Sequence, residues 1–351
     1  LSSTTSPSAP SAPSSNDAAT SFEPHRRFLV GLAYRMLGSV AEAEDVAQDA
    51  FLRWNGADRA SVAEPRAFLA RTASRLCLDR MKSASAQRER YVGTWLPEPV
   101  VEAASWATPG AMTDAMTHAT TGATSGAAAG AIVGATLGGA IDRGPHGAMA
   151  LAEDISFALL MTHERLSPLE RAAFLLHDVF DMEFRDIAEV LERSEAACRQ
   201  LAARGRDHVR DERPRFETTP AASARLTDAF HAAMLDGNLP ALAQLLADDV
   251  VLYTDGGGKR NAALNPVYGR DKILRFITGL AGKGWLPDPA LAERVQINGN
   301  PGFVLHGDEG PETLAFEISA DRIVALYGVR NPDKLRHLAR DLEPRGLMRS
   351  E

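Results

Sequence analysis

The side chains best suited to chemistry in this chain are cations set at helical spacing. Arg199, Gln200, Arg204 and Arg206 follow Ser194 in one stretch, while Arg66, Arg71, Arg75, Arg80, Lys82, Arg88 and Arg90 crowd another. Arginine forms hydrogen bonds with phosphates and with guanine edges, so these residues could recognise a polyanion. A third group has the opposite sign: Glu42, Glu44, Asp45, Gln48 and Asp49 lie just ahead of the second basic group. An acidic helix followed by a basic one implies two partners of opposite charge.

The elements that must position these groups are legible in the spacing. Ser167-Pro168-Leu169-Glu170 is a helix start, with Ser167 as N-cap, proline at the first helical position and Glu170 placed for a capping box. After a break at Phe180-Asp181, Phe184, Ile187, Ala188 and Leu191 mark a short amphipathic helix. Arg193-Ser194 makes a tight turn, and Ser194 caps a last helix whose inner side carries Ala197, Leu201 and Val209. Two short helices, a brief turn and a basic second helix describe a helix-turn-helix, whose second helix would enter a major groove. A salt-bridged helical hairpin would show the same pattern, and Glu195, Asp207, Asp211 and Glu212 offset much of the basic charge. Upstream, Val46, Ala50 and Trp54, with Ala47 and Phe51 beside them, form the apolar stripe of helix 41–54. Phe68, Leu69, Thr72, Leu76 and Met81 do so for the helix beginning at 65.

The acidic helix, the basic helix ending Leu76-Cys77-Leu78-Asp79-Arg80-Met81-Lys82-Ser83 and the downstream helix-turn-helix resemble the two domains of an extracytoplasmic-function sigma factor of the sigma-70 family. The resemblance covers 22–93 and 151–216. Three short motifs narrow it: Trp95-Leu96-Pro97-Glu98-Pro99, Asp255-Gly256-Gly257-Gly258-Lys259 and Asn331-Pro332-Asp333-Lys334-Leu335 resemble signatures of the subgroup with a fused SnoaL-like carboxy-terminal domain. The resemblance implies a cytoplasmic bacterial protein that binds core RNA polymerase and the −10 and −35 promoter elements. It places Asp45, Gln48, Asp49 and Phe51 against polymerase. Arg71, Arg75, Arg80 and Lys82 fall on the melted −10 strand, and Ser194, Arg199, Gln200 and Arg204 on the −35 duplex. Arg75 stands where the family often has Asn. The three motifs imply control in cis: the glycine turn and Lys259 would receive Glu98, Trp95 would supply an apolar anchor, and 331–335 would brace them.

Composition agrees with a soluble, multidomain chain. The 351 residues are 45% hydrophobic and 24% charged, enough for two or three domains. Cys77 and Cys198 lie far apart in predicted helices and suit buried apolar positions in a reducing compartment. The nine histidines are scattered without ligand spacing, so neither a metal nor a cofactor is expected. A net charge of −8 gives little counterion-release drive toward DNA, which fits a protein that meets promoters only within a larger assembly.

The fold class expected is two all-α domains, the second holding the helix-turn-helix, followed by an α+β SnoaL-like cone. Residues 1–20, rich in Ser, Ala and Pro, read as a disordered tail with no secretory signal. The first helical domain covers 21–95 and a flexible linker 96–150, with Gly122, Gly126, Gly130, Gly134 and Gly138 at four-residue intervals. That glycine run also has the form of a helix-packing zipper, but its Ala, Gly and Thr insert poorly into membranes, so no membrane association is expected. About 55 linker residues would span roughly 40 Å as a coil and stretch beyond 150 Å, enough for promoter elements roughly 85 Å apart. The helix-turn-helix domain covers 151–216 and the cone 217–345, with helices at 224–235, 239–246 and 271–280 and strands at 249–253, 291–297, 303–307, 312–318 and 322–329 in a curved antiparallel sheet. A second reading makes the cone a small-molecule-binding domain or a cyclase- or isomerase-type enzyme, with Asp228, His231, Tyr253 and Asp255 as acid–base candidates. No spacing singles those four out, and the chain is not expected to be an enzyme.

Overall fold

The computed structural model describes residues 15–88, 91–103, 157–211 and 219–340. Three helices form the first unit: α1 (Ser15–Leu37), α2 (Val40–Asn55) and α3 (Pro65–Arg88). Ser39 caps α2 by accepting the Glu42 amide at 3.3 Å. The α2 stripe Ala43, Val46, Ala47, Ala50 and Trp54 is buried against Leu29, Leu32 and Met36 of α1. Helix α1 begins inside the stretch read as a tail. Ala18 is buried, Ser21 accepts the Trp54 indole N–H at 3.1 Å, and Phe22 packs edge-on against Phe51 at 5.2 Å. The tail reading therefore fails for 15–20, and 1–14 lie outside the described residues.

The second unit holds α4 (Phe157–Arg165), α5 (Pro168–Phe174), a π-helical turn (Leu175–Val179), α6 (Phe184–Leu191) and α7 (Glu195–Asp211). The capping box forms at Ser167 and Glu170, the expected break falls at Asp181 (φ 54°), and the turn expected at Arg193-Ser194 starts one residue earlier, at Glu192 (φ 55°). The inner face of α7 is Cys198, Ala202, Gly205 and Val209, one residue round from the Ala197 and Leu201 expected. Gly205 explains the rotation: a Cβ there would lie 2.8 Å from the Cβ of Phe174, so α7 approaches α5 along its small residues. The two helical units share one core. Phe28 meets Phe180 edge-on at 5.1 Å, and the buried Arg171 donates to the Met36 carbonyl at 2.6 Å.

The third unit is the α+β cone. Its helices α8 (Pro220–Leu235), α9 (Leu239–Leu245) and α10 (Arg270–Ala281) cover one face of a sheet in the order β1-β4-β5-β6-β7-β2-β3. The strands are β1 (Val101–Ala103), β2 (Leu246–Asp255), β3 (Val267–Tyr268), β4 (Ala292–Ile297), β5 (Asn300–Gly307), β6 (Gly310–Ser319) and β7 (Arg322–Val329), and a short α11 (Arg336–Arg340) follows. Asn298 and Gly299, at φ 52° and 71°, make a tight hairpin between β4 and β5. Two expectations are corrected. The sheet is mixed, because β2 pairs in parallel with β7 while the other pairs are antiparallel. Residues 96–103 are not linker: Leu96 to Val100 are buried and β1 adds to the edge of β4. The glycine run at 122–138 lies outside the described residues.

Candidate nucleic-acid interface and interdomain site

On α7 the sequence-predicted residues lie together on the exposed side. Ser194 accepts the Ala197 amide at 3.2 Å, so its hydroxyl caps the helix. Arg199 pairs with Glu195 at 2.7 Å and lies over the Phe184 ring at 5.2 Å, Gln200 is exposed, and Arg204 pairs with Glu170 at 3.3 Å. Burial raises the Glu170 carboxyl. The Ser167 hydroxyl and amide and the nearby Arg204 outweigh it and hold the group below the usual carboxylate range.

On α3 the basic residues divide. Arg71 pairs with Glu189 at 2.7 Å, and Arg75 reaches the Glu189 carbonyl at 3.1 Å and the Glu192 carboxylate at 3.0 Å, all across the boundary with α6. Arg80 turns back to α2, pairing with Asp49 at 2.9 Å and Asp45 at 3.6 Å. Lys82 is exposed and pairs with Asp79 at 3.2 Å. Of the acidic group on α2, Asp45 and Gln48 face outward, Asp49 is half-buried, and Phe51 leans into the core.

The three short motifs converge on one carboxylate. Asp255 is fully buried at the end of β2. Its Oδ1 accepts the Tyr91 hydroxyl at 2.5 Å and the Gly257 amide at 3.0 Å; its Oδ2 accepts the Leu96 amide at 2.9 Å and the Lys334 ammonium at 2.7 Å. Lys334 also donates to the Leu96 carbonyl and stands 4.2 Å from the Trp95 ring centroid. Asn331 donates from Nδ2 to the Tyr91 hydroxyl at 2.8 Å, and its amide group occupies the space a Cβ at Gly257 would need. Burial, and then the bond to Asp255, raise the Tyr91 phenol well above its ordinary range. The glycine run is required here: Gly257 and Gly258 have φ 60° and 70°, and at Gly256 a Cβ would strike the Arg260 carbonyl.

The expected Glu98–Lys259 contact is absent. Lys259 pairs instead with Asp333 in its own domain, and that pairing, with Arg336, lowers the Asp333 carboxyl. Glu98 turns the other way and crowns α2, where its Oε2 accepts the Ser39 hydroxyl and the Val40 amide, each at 2.9 Å. A carboxylate at a helix N-terminus is electrostatically favoured, which accounts for the choice. Pro97 is buried beside it, and Pro332 opens the turn that carries Asp333 and Lys334. Tyr34 and Tyr91 were not singled out by sequence, and nothing there tied Asn298 to this site. Tyr34 donates to the Glu98 carbonyl at 2.8 Å, while Asn298 donates to the Tyr34 hydroxyl and accepts the Val100 amide at 3.1 Å. Isolated polar residues carry no spacing signal, so only the tertiary structure brings them to the site.

The acid–base candidates of the cone are not brought together. Asp228 pairs with Arg294 at 3.1 Å on the surface, and His231 bonds the Pro289 carbonyl at 2.8 Å on the helical face. Tyr253 stacks on Tyr327 at 5.5 Å and, with Asp255, lies on the opposite face of the sheet. Among the described residues no His, Cys, Asp and Glu cluster could hold a metal, and no helix is long and apolar enough to cross a membrane.

A helix-turn-helix unit packed beside an acidic-then-basic helical unit defines a sigma-70-type transcription factor, and the Sigma-70 region 2 and Sigma-70, region 4 profiles match residues 22–87 and 156–209. The chain is 37% identical over 325 residues to the ECF RNA polymerase sigma factor SigJ of Mycobacterium tuberculosis, covering 89% of this chain and 91% of the relative. A probable ECF RNA polymerase sigma factor SigI of that organism is 29% identical over 321 residues, covering 91% and 94%. The crystal structure of M. tuberculosis SigJ superposes with a TM-score of 0.67 at 34% identity, covering 91% of this chain and 98% of that one. The protein belongs to the extracytoplasmic-function sigma factors, which direct promoter-specific initiation of transcription.

Proposed function

We propose that this sigma factor docks core RNA polymerase through the outward acidic face of α2, around Asp45, Gln48 and Asp49. In this reading α3 meets the melted −10 strand through Arg71, Arg75 and Lys82, and α7 reads the −35 duplex through Arg199, Gln200 and Arg204. The cone controls the step in cis. The observation that carries this reading is the Asp255 carboxylate, which joins Tyr91 and Leu96, just after the first helical unit, to Lys334 of the cone. The cone also holds the start of the second unit, where the buried Phe157 stacks on Tyr327 at 5.1 Å. Val101 to Ala103 and Phe157, the described residues on either side, are thus both held by one domain. The two DNA-reading units stay packed, with Arg71 and Arg75 turned onto α6. Opening must separate them before they can span promoter elements roughly 85 Å apart.

Run-off transcription with core polymerase tests this reading. Asp255→Asn leaves the buried Lys334 without its charge partner, a loss of about 3–5 kcal/mol for a buried pair. Output should rise by about tenfold or more if even part of that energy holds the closed arrangement. Wild-type output from Asp255→Asn and from Tyr91→Phe, with both proteins folded, would leave the cone without a regulatory role.

A further inference from the structure

The cone encloses a cavity of about 140 Å³ between its sheet and helices α8 and α10, on the face away from the Asp255 site. Its wall is built from Phe230, Met234, Phe276, Phe303, Leu314 and Leu326. A cavity with an apolar wall stays dry, and one of about 150 Å³ in another protein holds benzene. Trp285 lines the cavity yet is 44% exposed, which marks the mouth. Glu312 and Arg330 mark a polar end, paired at 2.7 Å. Arg330 also donates to the Asn261 carbonyl at 2.5 Å, while its Nε–H is buried with no hydrogen-bond partner among the described residues.

The strand alternation ties this cavity to the docked segment. Thr254 lies opposite Gly328 and Asp255 opposite Val329 in the β2–β7 pair. Thr254, Gly328 and Arg330 line the cavity, whereas Asp255 and Asn331, their chain neighbours, hold Tyr91 on the other face. The amides of Arg330 and Asn331 both donate to the Asp255 carbonyl, at 2.7 and 3.0 Å.

We propose that the cavity binds a small, uncharged, largely apolar molecule of one-ring size carrying a single hydroxyl or carbonyl oxygen, and that occupancy shifts the grip on Tyr91 and Leu96. The ring fills the apolar volume and the oxygen accepts from Arg330. Glu312 already takes Arg330 at 2.7 Å and Arg260 at 3.8 Å, so an anionic ligand would have to displace that carboxylate and a cationic one would meet the two guanidiniums, which disfavours an ionised ligand. The regulatory half rests on the proposed cis control; the binding half does not.

Phenol is the probe, with benzoate as the charged counterpart and toluene as the counterpart lacking oxygen. On the full-length protein, saturation-transfer NMR and thermal denaturation should show saturable phenol binding with a raised Tm, and little or no benzoate binding. Leu314→Trp fills the cavity and should abolish binding; Ala292→Leu fills it less drastically and serves if the first variant misfolds. Arg330→Met should weaken phenol by about tenfold while sparing toluene, as expected for one lost hydrogen bond to a charged donor. Absence of saturable phenol binding, or binding untouched by a folded filling variant, overturns the site. Phenol should also change hydrogen exchange at the Leu96 amide, and no change there overturns the coupling. Asp255→Asn should still bind phenol, so failure of cis control and failure of the site give different results.

Discussion

Asp255 shows how one side chain can hold two parts of a chain together. A buried carboxylate is tolerated only when its charge and lone pairs are satisfied, and here one ammonium, one hydroxyl and two amides do so. Tyr91 couples the docking to pH. Its phenol is raised, so the bound state favours the proton, and the docking contribution is complete below the ordinary tyrosine value of about 10. That contribution should be lost as pH rises through the raised value; Tyr91→Phe should remove this alkaline component. Hydrogen exchange at the Leu96 amide, followed against pH in both proteins, measures it, and identical profiles would place the titration elsewhere. Gly257→Val should release the segment more completely, because its φ of 60° disfavours a β-branched residue and the Asn331 amide fills the Cβ position. The motifs that meet here were legible in sequence as motifs. Their pairing was not, since charge alone matched Glu98 with Lys259 and could not foresee that the open N-terminus of α2 would take the carboxylate.

At the scale of elements, the helices announced themselves through caps and periodic apolar residues; the capping box at Ser167 and the break at Asp181 stand where sequence put them, and the turn read at Arg193-Ser194 begins one residue earlier, at Glu192. Strand β1 did not. Its three residues have no room for periodicity and gain their conformation from the β4 edge they pair with. The inner face of α7 was displaced by one residue because Gly205, which has no side chain to signal burial, sets the contact with α5. The outer face was legible, and it carries the recognition prediction. Arg199→Ala and Arg204→Ala should each cost about 1–3 kcal/mol in −35-dependent promoter binding by the holoenzyme if each contacts a base. Polymerase binding should stay unchanged. Equal loss on promoters with and without a −35 element would reduce both residues to phosphate contacts. The contact between α3 and the second unit separates in the same way into surface and core. Exposed pairs such as Arg75–Glu192 are worth about 0–1 kcal/mol, whereas the half-buried Phe180 packs on Phe28 and the shared core, so its truncation forfeits a good part of the ~3–5 kcal/mol lost with a fully buried phenylalanine. Phe180→Ala should therefore open the two helical units far more than Glu192→Ala, seen as a larger radius of gyration in solution scattering. The reverse order would make the ion pairs the latch.

For the whole molecule, charge and packing act in the same direction. A net charge of −8 opposes approach to DNA, and the closed arrangement engages Arg71 and Arg75 with Glu189, Glu192 and the α6 backbone. Counterion release, which supplies most non-specific DNA affinity, is weak for such a surface. The outward acidic face of α2 instead suits a basic partner. Binding there can contribute the energy that separates the two units, because a partner that prefers the open form shifts the equilibrium by its differential affinity. The free protein should accordingly bind promoter duplex weakly, with a shallow dependence on salt. Adding core polymerase should give tight, promoter-specific binding with a steep one. Asp255→Asn, which loosens the cone's grip, should strengthen the free protein's binding only modestly, since the net charge remains. Fluorescence anisotropy on a labelled promoter across a salt series, with and without polymerase, makes the comparison. Tight sequence-specific binding by the free wild-type protein at physiological salt would show that its two reading helices are accessible in the packed form, and both the closed arrangement and its release by the cone would lose their place in control.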